Sequence, residues 1–170
     1  MKWVVYGLLA LLLATAFLGA AIGAAASPSV AAPGAVADIP PAYLVLYQDA
    51  GARFGVPWQV VAAIGRVESD HGRNPACYRP NSAGAVGPMQ FLPATFAEYS
   101  WAAGHPGADI LDPADAIPAA AAMLARNGMA RDVHGAVFSY NHLDSYVNLV
   151  LSWATRYGWS MPADATGGGA

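Results

Sequence analysis

Apolar positions recur along most of this chain with the period of an α-helix. Leu44, Tyr47, Gly51 and Phe54 share a helical face and Gly55 follows as a stop, which predicts a helix over Tyr43 to Phe54. Pro57 suits the first turn of the next helix, where its missing N–H costs nothing. That helix begins at Trp58, runs through Glu68 and Ser69, and is stopped by Gly72. It is apolar nearly all round, the mark of a central, buried helix. From His71 to Pro93 the composition switches to Gly, Pro, Asn and Ser, a long irregular stretch of a kind that is usually functional or disordered. Helical character resumes over Pro93 to Trp101. Asp112 reads as an N-cap, and an alanine-rich helix is expected from about Pro118 to Asn127, closed by Gly128. Asp132 opens another helix through Tyr140. The last, Asp144 to Tyr157, carries Tyr146, Leu149, Val150 and Trp153 on one face. No segment alternates as a strand does, so the expected class is all-α, built from roughly five to seven short helices.

The first residues follow another pattern. Lys2 precedes an apolar run from Trp3 to Gly23, and no charge follows until Asp38. A positive start and an apolar run ending in small residues describe a secretory signal, with Ala24-Ala25-Ala26 as a cleavage site and Val30-Ala31-Ala32 as a second. The run also reaches the roughly 20 residues a helix needs to span a bilayer. A signal peptide over 1–26 and an uncleaved membrane tether through 3–26 therefore both stay open. Either puts the rest of the chain outside the cytoplasm, in the cell envelope, with the N-terminus inside. A lipid-anchored start is excluded, because the single cysteine, Cys77, lies far downstream. Residues 27–38, rich in Ala and Pro, read as a linker, 39–162 as the folded body and 163–170 as a disordered tail. With no repeat and no second module, the body is expected to act alone, as a monomer.

Composition narrows the partners. Only 11% of residues are charged, the net charge is −3, and the seven arginines are scattered singly. Nucleic-acid binding needs a basic stripe to displace phosphate counterions, and none exists here. Cys77 permits no internal disulfide and no cysteine-rich zinc site, and is expected to be a small buried filler. His105, His134 and His142 are too dispersed to suggest a metal. No metal or cofactor is expected.

The body holds two glutamates. Glu98, flanked by Ala97 and Tyr99, reads as a solvated surface residue. Glu68 lies on the same face as Val61 and Ile64 of the buried helix, in its last turn. A carboxylate there is costly unless it is neutral, paired or open to a cleft. Burial and the carbonyl end of the helix both push its pKa upward. A carboxylic acid still protonated near neutral pH is what general-acid cleavage of a glycosidic bond requires. A structural glutamate paired with an arginine, or capping a helix, fits the same pattern, so burial alone leaves both readings open.

Three further segments bear on that choice. Glu68-Ser69 is followed by Gly84-Ala85-Val86-Gly87-Pro88-Met89-Gln90-Phe91-Leu92-Pro93, and then by Ser139-Tyr140-Asn141. Asp112-Pro113 and Asp115-Ala116-Ile117 precede the alanine-rich helix, and Tyr146-Val147 follows the triplet. In this order they resemble the lytic transglycosylase domain, and the Gly-Pro-Met-Gln-Phe form looks most like its membrane-bound B-type branch and actinobacterial relatives. The resemblance runs from about Ala42 to Tyr157. Ser139 stands where the family usually has Ala, Pro88 where other branches have Leu, and Met123-Leu124 where Tyr-Leu is frequent.

The resemblance implies a lysozyme-like helical fold with a substrate groove, and peptidoglycan glycan strands as substrate. It implies cleavage of the β-1,4 bond between N-acetylmuramic acid and N-acetylglucosamine, leaving 1,6-anhydro-muramic acid ends. Glu68 would act as acid and then as base. Tyr140 is expected beside Glu68, its hydroxyl orienting the carboxyl, with Gln90 and the Met89 side chain lining the cleft. Ser69 is expected to bond the muramic acid region or Glu68, Asn141 to hold a helix end and an N-acetyl group, and Tyr146 to stack on a sugar. Asp70 and His71 are expected to face solvent. One alternative is a goose-type lysozyme-like hydrolase, which needs a second carboxylate, with Asp109, Asp112 and Asp115 as candidates. A non-catalytic cell-wall-binding protein and a membrane scaffold are the others.

Overall fold

Val60, Val61, Ala62, Ala63 and Ile64 are all fully buried, which leaves the middle of their helix no wet face. Each large side chain among them contributes roughly 1.5–3 kcal/mol by leaving water. This is α2 (Trp58–Ser69) in a computed structural model that describes residues 34–161. The N-terminal apolar run, residues 27–33 of the linker and residues 162–170 lie outside the described residues.

Six α-helices and two short 3₁₀ turns make up the described chain. In order they are α1 (Pro41–Phe54), α2, a 3₁₀ turn at Pro75–Tyr78, α3 (Pro93–Tyr99), a 3₁₀ turn at Ser100–Ala103, α4 (Pro113–Arg126), α5 (Val133–Phe138) and α6 (Asp144–Arg156). The class is therefore all-α; among the described residues the only β-type pairing is one isolated bridge, Val86 to Phe91. No described helix is long and apolar enough to cross a membrane.

α2 packs between α6 and α1, and α1 packs in turn on α4. Gly65 makes the approach of α1 to α2 possible. A Cβ at that position would collide with the Tyr47 hydroxyl, which reaches under α2 from α1. α4 is the second buried helix: Ala116, Ile117, Ala119, Ala120, Ala121 and Leu124 have no exposed surface. It starts at Pro113, five residues ahead of the expected Pro118. The Asp112 side chain caps it by accepting the Ala114 N–H at 2.8 Å, and Pro118 sits inside the helix. Proline there removes one donor and leaves the Ala114 carbonyl without an i+4 partner, a loss the buried alanine face tolerates.

Two boundaries differ in a way that matters for the site. The last linker residues, 34–38, fold onto the body: Arg73 Nη1 donates to the Asp38 carbonyl at 2.5 Å, and the Tyr157 hydroxyl to its carboxylate at 3.0 Å. The long stretch after α2 is ordered by side chains and not by regular structure. Asn74 caps the Pro75–Tyr78 turn, and the Asn81 carboxamide oxygen accepts the N–H groups of Ala83 and Ala85.

Candidate active site

The site grows from the way α2 ends. Asp70, His71 and Gly72 all adopt left-handed backbone, with φ of 54°, 55° and 73°. Two of these are not glycine, and each such residue costs on the order of 1 kcal/mol. The Asp70 and His71 N–H groups close on the Arg66 and Gly65 carbonyls, so the helix is capped while the chain turns sharply. That turn sends Asp70 outward, where Arg66 and Arg73 pair with it. It sends His71 inward.

His71 is 1% exposed, which corrects the expectation that it faces solvent. Its Nδ1 lies 3.0 Å from the Tyr47 hydroxyl and its Nε2 3.2 Å from the Tyr157 hydroxyl. Tyr157 gives its only hydroxyl proton to Asp38, so it accepts from His71 Nε2–H, and the bare Nδ1 accepts from Tyr47. A neutral imidazole satisfies every one of these bonds. Burial, aided by Arg73 and Arg66 and opposed by Asp38, holds the ring's pKa down at about 4.

Glu68 lies on the other side of the same helix end. It is half-buried in the wall of a depression of about 330 Å³ that is also lined by Arg66, Asp70, Asn74, Leu149 and Trp153. The Tyr146 hydroxyl donates to Glu68 Oε1 at 2.6 Å. Burial raises the carboxyl pKa to about 7, against the opposing pull of that hydrogen bond, which favours the charged form. Glu68 forms no ion pair and caps no helix among the described residues. The structural roles that burial alone left open are therefore both absent. Asp70 is the one other carboxylate lining the depression, and Arg66 and Arg73 both pair with it.

The sequence segments named above meet here, through backbone as much as side chain. Ser69 Oγ donates to the Pro88 carbonyl at 2.6 Å and accepts the Gly72 N–H at 2.8 Å. The Tyr140 hydroxyl donates to the next carbonyl, that of Met89, at 2.8 Å. Two hydroxyls from distant parts of the chain thus grip adjacent peptides of one loop. Gln90, left-handed at φ 48°, braces that loop from within, donating to the Gly87 carbonyl at 3.0 Å and to the Cys77 carbonyl at 3.2 Å. Gly87 has φ +86°, and a Cβ there would strike the Ile110 carbonyl, so the loop needs glycine at this point.

Several side chains stand elsewhere than expected. The Met89 side chain is fully buried in the core and does not line the cleft. Tyr146, and not Tyr140, orients the Glu68 carboxyl; Tyr140 lies close enough to feel its charge but spends its hydroxyl on the loop. Tyr146 is buried, with no face free to stack on a sugar. Asn141 is exposed and makes no side-chain hydrogen bond among the described residues, while its carbonyl accepts the Leu143 N–H at 2.7 Å. Arg66, Leu149 and Trp153 line the depression without having been singled out. Leu149 and Trp153 were legible as one stripe of α6, but the pattern does not tell a stripe that packs from one that borders a groove.

The chain matches the family model described as the transglycosylase SLT domain over residues 46–153. It belongs to that family. No curated protein and no solved structure matches it. The SLT match opens inside α1 and closes inside α6, so it contains Glu68, the gripped loop and Tyr146. An SLT domain implies peptidoglycan-cleaving activity of the lytic transglycosylase type, which acts outside the cytoplasm.

The remaining ionisable groups have other work. Asp115 is buried and holds His105 at 2.9 Å and the Asp109 N–H at 2.7 Å. Asp109 and Asp112 accept the N–H groups of Leu111 and Ala114. All three candidates for a second catalytic carboxylate are thus spent on the turn that starts α4. Among the described residues no cluster of His, Cys, Asp and Glu is arranged to hold a metal. Cys77 is free and buried, as a filler would be.

Proposed function

We propose that this SLT-domain protein is a lytic transglycosylase that cuts the β-1,4 bond after N-acetylmuramic acid, with Glu68 as its only reacting side chain. One observation carries the reading: a carboxyl in a groove wall whose pKa sits at about 7, with no second free carboxylate lining the groove. A group titrating there is part protonated and part ionised at neutral pH, so it serves as acid and as base. Protonated Glu68 gives its proton to the glycosidic oxygen, and the bond to the muramic acid C1 breaks as oxocarbenium character develops. The ionised carboxylate then takes the proton of that sugar's own 6-hydroxyl while its oxygen bonds to C1. The ring closes as a 1,6-anhydro sugar and Glu68 returns to its starting state. A hydrolase would need a further carboxylate to activate water, and Asp70, Asp109, Asp112 and Asp115 are all engaged.

The remaining site residues divide by what they touch. Tyr146 positions Glu68, and Ser69, Tyr140 and Gln90 hold the Gly87 to Gln90 loop against the end of α2. Exposed Asn141 is left to meet the glycan. The Gly-Pro-Met-Gln-Phe form supports a place in the B-type or actinobacterial branch, and the charge-free N-terminal run a signal or tether delivering the domain to the wall. Mass spectrometry of digested peptidoglycan tests the chemistry. Anhydro ends are expected; reducing ends, one water heavier, would make the protein a muramidase.

A further inference from the structure

The depression beside Glu68 has a neighbour on the far side of Arg66 and Trp153. A second one, of about 430 Å³, shares Arg66 and Trp153 with it and continues past Arg156 and Tyr157 to the folded linker residues. Two guanidinium groups lie over the Trp153 ring, with the Arg66 Cζ 4.7 Å and the Arg156 Cζ 4.8 Å from its centroid. Such stacking on an aromatic ring holds a guanidinium in place while leaving its N–H edge open.

The two cations differ in what answers them. Arg66 pairs with Asp70 and lies 3.8 Å from Asp38. Arg73 takes the remaining capacity of Asp70. Arg156 is exposed and has no ion-pair partner among the described residues. Arg66 and Arg73 thus share Asp70, and the unanswered Arg156 stands in the second depression. Asp38 also lines the second depression, but its carboxylate already accepts the Tyr157 hydroxyl. The Trp153 indole N–H has no acceptor among the described residues and is a further donor beside Arg156. A neutral sugar backbone gives a preorganised cation of this kind nothing to match its charge.

We infer that Arg156, stacked on Trp153, binds a carboxylate of the peptide stem carried by the glycan strand, and so makes the groove favour stem-bearing over stem-free peptidoglycan. This rests on the transglycosylase reading of Glu68. Distances along the wall are compatible. Leu149 borders the first depression and Arg156 the second, and seven residues of helix span roughly 10 Å. The stem leaves from the muramic acid, the sugar whose C1 reacts at Glu68. About three extended peptide residues, at roughly 3.3–3.6 Å each, cover that length.

The experiment measures kcat and KM of the full chain on intact glycan strands and on strands from which an amidase has removed the stems. Wild type is expected to show a lower KM on stem-bearing strands. Arg156→Gln is expected to shrink that preference about fivefold through KM, with kcat retained, and Arg156→Lys to restore part of it. A wild type with no preference, or a preference unchanged in Arg156→Gln, overturns the subsite while leaving the cleavage chemistry standing. Failure of wild type to cut either polymer overturns the transglycosylase reading and the subsite with it.

Discussion

Glu68 and His71 stand three residues apart at the end of α2, and burial acts on both, yet they come out as opposites. Burial disfavours the charged form of each, raising the carboxyl to about 7 and lowering the imidazole to about 4. His71 is sealed between two tyrosine hydroxyls that a neutral ring satisfies, so nothing near neutral pH moves it. Glu68 has one donor, from Tyr146, and an open side toward the groove. The same desolvation that makes one residue inert leaves the other poised. What separates them is whether the surrounding hydrogen bonds close the site or leave room for a substrate.

Breaking the reactive side should cost most. Glu68→Gln is expected to lower the release of soluble fragments from peptidoglycan about a thousandfold with the helical circular dichroism intact. Loss of the sealed side should appear as stability. His71→Leu strands the Tyr47 hydroxyl and removes a partner of Tyr157, costing roughly 2–3 kcal/mol, or a fall of about 10 °C in Tm by calorimetry. That variant should still cleave below its melting temperature, and an inactive but folded His71→Leu would mean the two sides are not separate.

Tyr146→Phe tests the one donor. Without it the carboxylate is less stabilised, so the alkaline limb of kcat/KM against pH should move up by about one pH unit. An unmoved limb would remove Tyr146 from the tuning of Glu68. A subtler effect follows from linkage. His71 binds its proton more weakly folded than unfolded, so it adds stability that is full above pH 6.5 and lost as pH falls toward 4. Glu68 binds its proton more tightly when folded, so its contribution is full below pH 4.5 and lost as pH rises through about 7. Between pH 4.5 and 6.5 the two slopes oppose each other, and denaturant titrations of wild type should be nearly flat. Glu68→Gln should then unmask a rise in stability with pH approaching 1.4 kcal/mol per unit. Smallest of all, Glu98→Gln on the exposed face of α3 should leave both activity and Tm unchanged.

Much of this was legible in the order of residues. The helix faces, the buried character of α2 and the isolation of Glu68 on its apolar stripe follow from periodicity, since a carboxylate at that spacing has nowhere polar to go. Partnerships were less legible. Tyr140 and Tyr146 are both tyrosines near the start of α6, and nothing in their spacing says which hydroxyl reaches Glu68. The pattern puts His71 at solvent because it flanks the helix end. Three left-handed residues in succession turn it inward, and backbone of that kind leaves little trace at a histidine. Met89 shows the same limit: its carbonyl serves the loop while its side chain fills the core.

By itself the sequence determined that the described body is helical, that one glutamate would be costly where it lies, and that its likeness is to peptidoglycan-cleaving domains. The first two depend on period and composition, and the likeness on the order of short motifs, all of which are read along the chain. Only the tertiary structure decided which tyrosine holds Glu68, that Ser69 and Tyr140 grip adjacent peptides of one loop, and that Arg66 and Arg156 both stack on Trp153 where the two depressions adjoin. Each of these joins residues from different helices, and such contacts are set by how the buried faces pack and by the directions in which left-handed turns release the chain.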